Sequence, residues 1–303
     1  MTTTTLRIAI LTLGLAASSL ASAELKIAGS DTLEPYFQNA LSQYARGSGA
    51  GVQVKADYKG TTQGFRELCE GRATIVPASS KLEGDALARC QQSRTEFIEL
   101  PIAYDAVVVI AHPSHASMGE IKLAELKTIF SPENGGKVVR WSQVRAGLPD
   151  TPLNVVSLDT KSGTTAFFGG KVHGMKGFVR HDAKVSANHQ EIAKLVAADP
   201  NAIGFISIGA LSESKATVWK VPVNFGNGAV VASKESILND TYAPFSRLLY
   251  VYVAKSALQE KNGEVLAFSN WLMERASKLA SYEGFVPLTD ANYSDNARKL
   301  VAK

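Results

Sequence analysis

The sequence predicts an α/β protein with mostly parallel sheets. Apolar runs with strand patterning alternate with runs of helical spacing along nearly the whole chain. The run Ala106–Ile110 is apolar without alternation, as in a strand buried on both faces, and Leu248–Val253 reads the same way. Three glycine-and-hydroxyl clusters each fall where a strand pattern gives way to a helix pattern. They are Gly29-Ser30-Asp31-Thr32, Gly60-Thr61-Thr62-Gln63-Gly64 and Lys161-Ser162-Gly163-Thr164-Thr165. In open α/β sheets such strand ends carry the ligand.

The elements follow in order. Leu25–Ala28 is a short apolar strand. Leu33, Phe37, Leu41 and Tyr44 recur at helical spacing and stop at Arg46-Gly47, a C-cap signal. Val52, Val54, Ala56 and Tyr58 alternate, which predicts a half-buried strand. Thr62–Cys69 is a helix, Thr74–Ala78 a strand interrupted by Pro77, and Glu83–Arg94 a helix. Phe97–Ile110 reads as two apolar runs divided near Tyr104-Asp105. Leu123–Phe130 is a helix that ends before Ser131-Pro132. Leu153–Leu158 is a strand leading into the third cluster, with Phe167 and Phe168 on the helix beyond it. Glu191–Ala198 is a helix, Ile203–Ile208 a strand, Val218–Val223 an alternating segment and Val265–Leu279 an amphipathic helix. The basic end, with Arg298, Lys299 and Lys303, reads as a frayed, solvated terminus.

The first residues predict export. Arg7, the apolar stretch Ile8–Ala17 and Ala21-Ser22-Ala23 together read as a signal peptide over 1–23, cleaved before Glu24. The destination is a periplasm or the cell exterior. The formal net charge of +4 is mild, which argues against nucleic-acid binding. Cys69 and Cys90 are the only two cysteines. An oxidising compartment favours a disulfide between them, with two separate buried thiols as the other reading. The five histidines have no metal-ligand spacing, and no metal or cofactor is expected. No Ser-His-Asp order in a nucleophile elbow is present, so catalysis is not expected.

The three clusters share one chemistry. A helix start leaves N–H groups without partners and carries partial positive charge. Hydroxyls add rotatable donors, and glycine lets backbone approach a ligand. Three such starts converging on one point would hold a small oxyanion. Each also has a plainer reading as a helix N-cap, Ser79-Ser80 as a strand-end turn, and Lys161 as a surface lysine.

At these residues the chain resembles the PstS family of phosphate-binding proteins that feed ABC transporters. The motifs are Gly29-Ser-Asp-Thr-Leu33, Gly60-Thr-Thr-Gln-Gly64, Ala78-Ser79-Ser80, Ser162-Gly163-Thr164, Phe245–Val253 and Glu283–Leu288, spread from Leu25 to about Asp290. The Cys69/Cys90 spacing resembles a disulfide of one branch. The resemblance implies a two-lobed periplasmic-binding-protein fold of type II, a Venus flytrap with two hinge crossover strands. It divides the chain into 24–104 with 251–303 as one lobe and 105–250 as the other. It implies a monomer that binds inorganic phosphate and docks on an ABC permease.

The ligand set it implies is Thr32, the Leu33 N–H, Thr61, Ser162, Gly163 and Thr164; Ser30, Asp31, Thr62, Ser79, Ser80 and Lys161 join as neighbours. Two departures stand out. Ser80 stands where the best-known members have Asp and other branches have Arg or Ser nearby, and Leu158 where the best-known members have Arg. A carboxylate accepts the proton of phosphate and repels sulfate, so its loss bears on selectivity. Asp31 is a replacement acceptor, and Lys161 or Lys81 a replacement cation. The alternatives are a binder of another oxyanion such as sulfate, and a secreted interaction or matrix protein whose pocket has drifted.

Overall fold

The computed structural model describes residues 24–259 and 263–301; the expected leader lies outside them. Eight strands form the main sheet path. Their order is Gln53–Asp57, Glu24–Ala28, Ile75–Ala78, Ser246–Ala254, Phe97–Ala111, Ala202–Ser207, Asn154–Leu158 and Lys184–Ser186. The outer pairings are parallel. The central ones are antiparallel, so the sheet is mixed rather than mostly parallel. The chain leaves its first half along Phe97–Ala111 and comes back along Ser246–Ala254. Two strands that cross in opposite directions pair antiparallel with each other, and each also pairs antiparallel with its other neighbour.

Two hydrophobic clusters flank this crossing. One gathers Leu25, Phe37, Leu68, Leu100, Val253 and Phe268. The other gathers Val108, Trp141, Ile203 and Phe245 around the ring contacts of Phe130, Phe168 and Phe205. Ala103 belongs to the first and Ala106 to the second, while Tyr104 packs on both. The two runs predicted over Phe97–Ile110 are therefore one strand that passes through both cores.

A register shift falls between Leu249 and Tyr250, which face Ala103 and Pro101. Pro101 has no N–H to give the ladder, and a bulge accommodates it. The carbonyls there are taken up by the last helix, Asp290–Val301. Asn296 Nδ2 donates to Pro101 O at 2.6 Å and the Tyr293 hydroxyl to Ile102 O at 2.7 Å. Tyr293, Asn296 and Leu300 are buried, so the chain is a packed helix as far as Val301; Arg298 and Lys299 are exposed on it, and Lys303 lies outside the described residues.

Gln53–Asp57 is exposed along its length, against the half-buried expectation, because it is the last strand of the path. Ile75–Ala78 continues through Pro77 without interruption. Cys69 and Cys90 form a disulfide that ties helix Thr61–Cys69 to helix Gly84–Gln92. Closing a loop of that separation constrains the unfolded chain by about 3 kcal/mol.

Candidate anion-binding cleft

The first two clusters are fixed by backbone lacing at strand ends. Gly29 N–H donates to Asp57 O at 2.9 Å, Ser30 N–H to Pro77 O at 2.8 Å and Gly60 N–H to Gly29 O at 2.8 Å. A side chain on Gly29 would collide with the Pro77 carbonyl, and one on Gly64 with the Ala28 carbonyl. These glycines let three chain segments approach one another, a structural task that precedes any ligand.

The hydroxyls follow. Thr61 Oγ1 accepts the Ser79 N–H at 3.0 Å and lies 3.1 Å from Ser79 Oγ. Across the cleft, Ser162 caps the ten-residue helix Gly163–Val172. Its Oγ accepts the Thr164 N–H at 3.2 Å, which leaves its own O–H free to donate elsewhere. The halves meet at Gly163, where an added Cβ would lie 3.4 Å from Thr32 Oγ1, 3.6 Å from Asp31 Oδ1 and 4.0 Å from Ser79 Oγ.

The organising cation is Arg247, directly opposite Asp105 in the register of the crossing strands. Its Nε and Nη2 donate to Asp105 Oδ2 at 3.1 and 2.9 Å. Nη1 reaches Gly163 O at 3.3 Å and Nη2 reaches Thr32 Oγ1 at 3.4 Å. The guanidinium also lies 5.0 Å from the Phe167 ring centroid. The Asp105 side chain is 0% exposed and that of Arg247 9%. One residue thus touches both cluster walls and sits where the two cores divide.

Two cavities flank the Thr32–Gly163 contact. One, of about 360 Å³, is lined by Asp31, Thr61, Ser79, Gly163 and Arg247, with Thr62, Ser80, Lys161 and other lysines around them. The second, of about 240 Å³, is lined by Asp31, Thr32, Thr164, His189, Glu213 and Glu283. His189 Nδ1 accepts the Ser207 N–H at 3.3 Å. Burial pushes its pKa down, while the charges of Asp105 and Asp31 act the other way.

The structure thus brings Asp31, Thr32, Thr61, Ser79 and Gly163 together, with Thr62, Ser80 and Lys161 lining the larger cavity. Ser30 is fully buried and caps the turn through Thr32 N–H at 3.2 Å. Leu33 is buried too, its N–H bonded to Ser30 O at 3.2 Å. Thr164 faces the second cavity. Lys81 pairs with Glu99 at 3.6 Å and does not line the cleft, which corrects its reading as a replacement cation.

A cation that does line it is Arg247, which lies outside the three glycine-and-hydroxyl clusters. A signal is present: Asp105 divides the apolar run Phe97–Ile110 and Arg247 stands directly before the run Leu248–Val253, with opposite charge. A buried charge demands a partner.

A family model of the PBP superfamily domain matches residues 15–276. The chain belongs to the PBP superfamily. Among its relatives, Protein SphX of Synechocystis is 30% identical over 94% of this chain and 85% of that protein. The phosphate-binding protein PstS of Staphylococcus aureus is 26% identical over 92% of this chain and 83% of its own length. A crystal structure of a possible phosphate binding protein from Planctomyces limnophilus superposes with a TM-score of 0.79 at 24% identity, covering 92% of this chain and 98% of that one. The two-lobed fold and the PstS-type resemblance stand on these matches.

Proposed function

We propose that the chain is an exported solute-binding protein that captures inorganic phosphate between its lobes and delivers it to an ABC permease, without catalysis. The carrying observation is the meeting of both cluster walls at Arg247. Thr32, Thr61 and Ser79 supply hydroxyl donors from one side, and the start of helix Gly163–Val172 supplies N–H donors and its dipole from the other. Arg247 adds charge-assisted donors, pre-set by Asp105. Asp31 accepts the proton that phosphate carries and sulfate lacks. The names of the relatives support phosphate as the anion.

Closure is a hinge motion about the two crossing strands, near Asp105 and Arg247. The protein acts as a monomer in the periplasm.

Isothermal titration of phosphate-free protein with phosphate, then with sulfate in competition, tests this reading. Tight phosphate binding untouched by sulfate is expected. Sulfate binding in its place makes the protein a carrier of another oxyanion, and no binding of either makes it an interaction protein on the same fold.

A further inference from the structure

The larger cavity is oversized for a single tetrahedral anion. At about 360 Å³ and open to solvent, it continues past the hydroxyls to the loops around them. Beyond the hydroxyl ring it is lined by Lys59, Lys161 and Lys176, which come from three loops. Their charges are not equally balanced. Arg247 is held by Asp105, and Lys59 donates to Asp57 at 2.7 Å. Lys161 and Lys176 have no ion-pair partner among the described residues, and both are exposed. An anion seated at Arg247 and the helix start therefore leaves two ammonium groups uncompensated on its outer side.

The rest of the wall narrows what could meet them. Phe167 is the aromatic side chain lining the cavity. Its ring is engaged by the Arg247 guanidinium at 5.0 Å and by Lys171 Nζ at 5.7 Å. The additional part of a longer ligand is anionic rather than aromatic.

We infer that the cleft also accepts a condensed phosphate such as pyrophosphate, with one phosphoryl group in the oxyanion ring and the second between Lys161 and Lys176. The inference rests on the phosphate reading of the inner site.

Calorimetry with pyrophosphate and with orthophosphate, on the mature protein and on Lys176→Ala, tests it. Pyrophosphate is expected to bind and to be displaced by orthophosphate. Lys176→Ala is expected to weaken pyrophosphate about tenfold and orthophosphate less than about twofold. Orthophosphate binding without pyrophosphate competition overturns the inference and leaves the phosphate reading standing. So does an equal loss of both ligands in Lys176→Ala. Pyrophosphate binding without orthophosphate binding overturns the phosphate reading and with it the inference built on it, and binding of neither overturns both.

Discussion

The two cavities beside the Thr32–Gly163 contact carry opposite charge. One is lined by Arg247 and three lysines, the other by Glu213 and Glu283 with His189, and Asp31 borders both. On the phosphate reading, Arg247 on the basic side holds the ligand. On the acidic side the two halves touch through backbone. A Cβ on Gly209 would lie 2.6 Å from Glu283 O, and Gly284 has a φ of +74°. Burial pushes the Glu283 carboxyl up, and the charge of Glu213 adds to it. On the phosphate reading, closing would bring the acidic side's carboxylates together while the ligand bridges the basic side.

Removing the basic side's anchor is the severest test. Arg247→Ala takes away the donors and strands Asp105, whose Oδ1 already has no partner. Affinity is expected to fall by a factor of about 100 or more, and stability by about 3–5 kcal/mol. Adding Asp105→Ala restores most of the stability without the affinity. Urea denaturation and calorimetry read the two effects separately. If the double variant is no more stable than Arg247→Ala, the stranded charge is not the cause.

Next comes the acidic side's contact. Gly209→Val places atoms where Glu283 and Gly284 backbone lies. Either the halves part or the backbone strains by about 1–3 kcal/mol. The expectation is an affinity loss of about tenfold, with the ligand-induced decrease in radius of gyration abolished in X-ray scattering. A variant that still compacts normally would mean that this contact does not form on closing.

How far the sequence could be read differs between the same two sides. Helix Leu123–Phe130 was bounded correctly from its periodicity and Ser131-Pro132. The three clusters were found because glycine, hydroxyl and strand end are local signals. Ser30 and Ser162 show the limit of that grammar, since their hydroxyls cap their own helices whatever else they do. Arg247 and Asp105 lie 142 residues apart, and only the antiparallel register of the crossing strands brings them together. The acidic cavity left no local mark. Its residues come from separate helix ends joined by a backbone contact between two glycines.

A smaller effect separates attraction from selection on the basic side. Asp31→Asn keeps the size of the side chain and removes its charge. Sulfate affinity is expected to rise about tenfold relative to phosphate. An unchanged ratio would remove Asp31 from the discrimination.

The smallest expected effect belongs to Glu283→Gln. The Asn39 Nδ2 donor, 2.8 Å from Glu283 Oε1, keeps an acceptor in the amide. The carboxyl is raised above 4.5, first by burial. The folded protein therefore holds this proton more tightly than the unfolded chain. Its contribution is full below 4.5 and is lost as pH rises to the raised value. His189 has the opposite sign, because burial lowers its pKa from 6.5, so its contribution grows as pH rises towards 6.5. The two slopes have opposite sign, and the difference between wild type and Glu283→Gln isolates the carboxyl. Discounted for partial exposure, the variant should gain about 1 kcal/mol or less at neutral pH and nothing well below 4.5. Urea midpoints across pH 4 to 7 measure it. A constant difference across that range would mean that the acidic side resists closing by shape and not by charge.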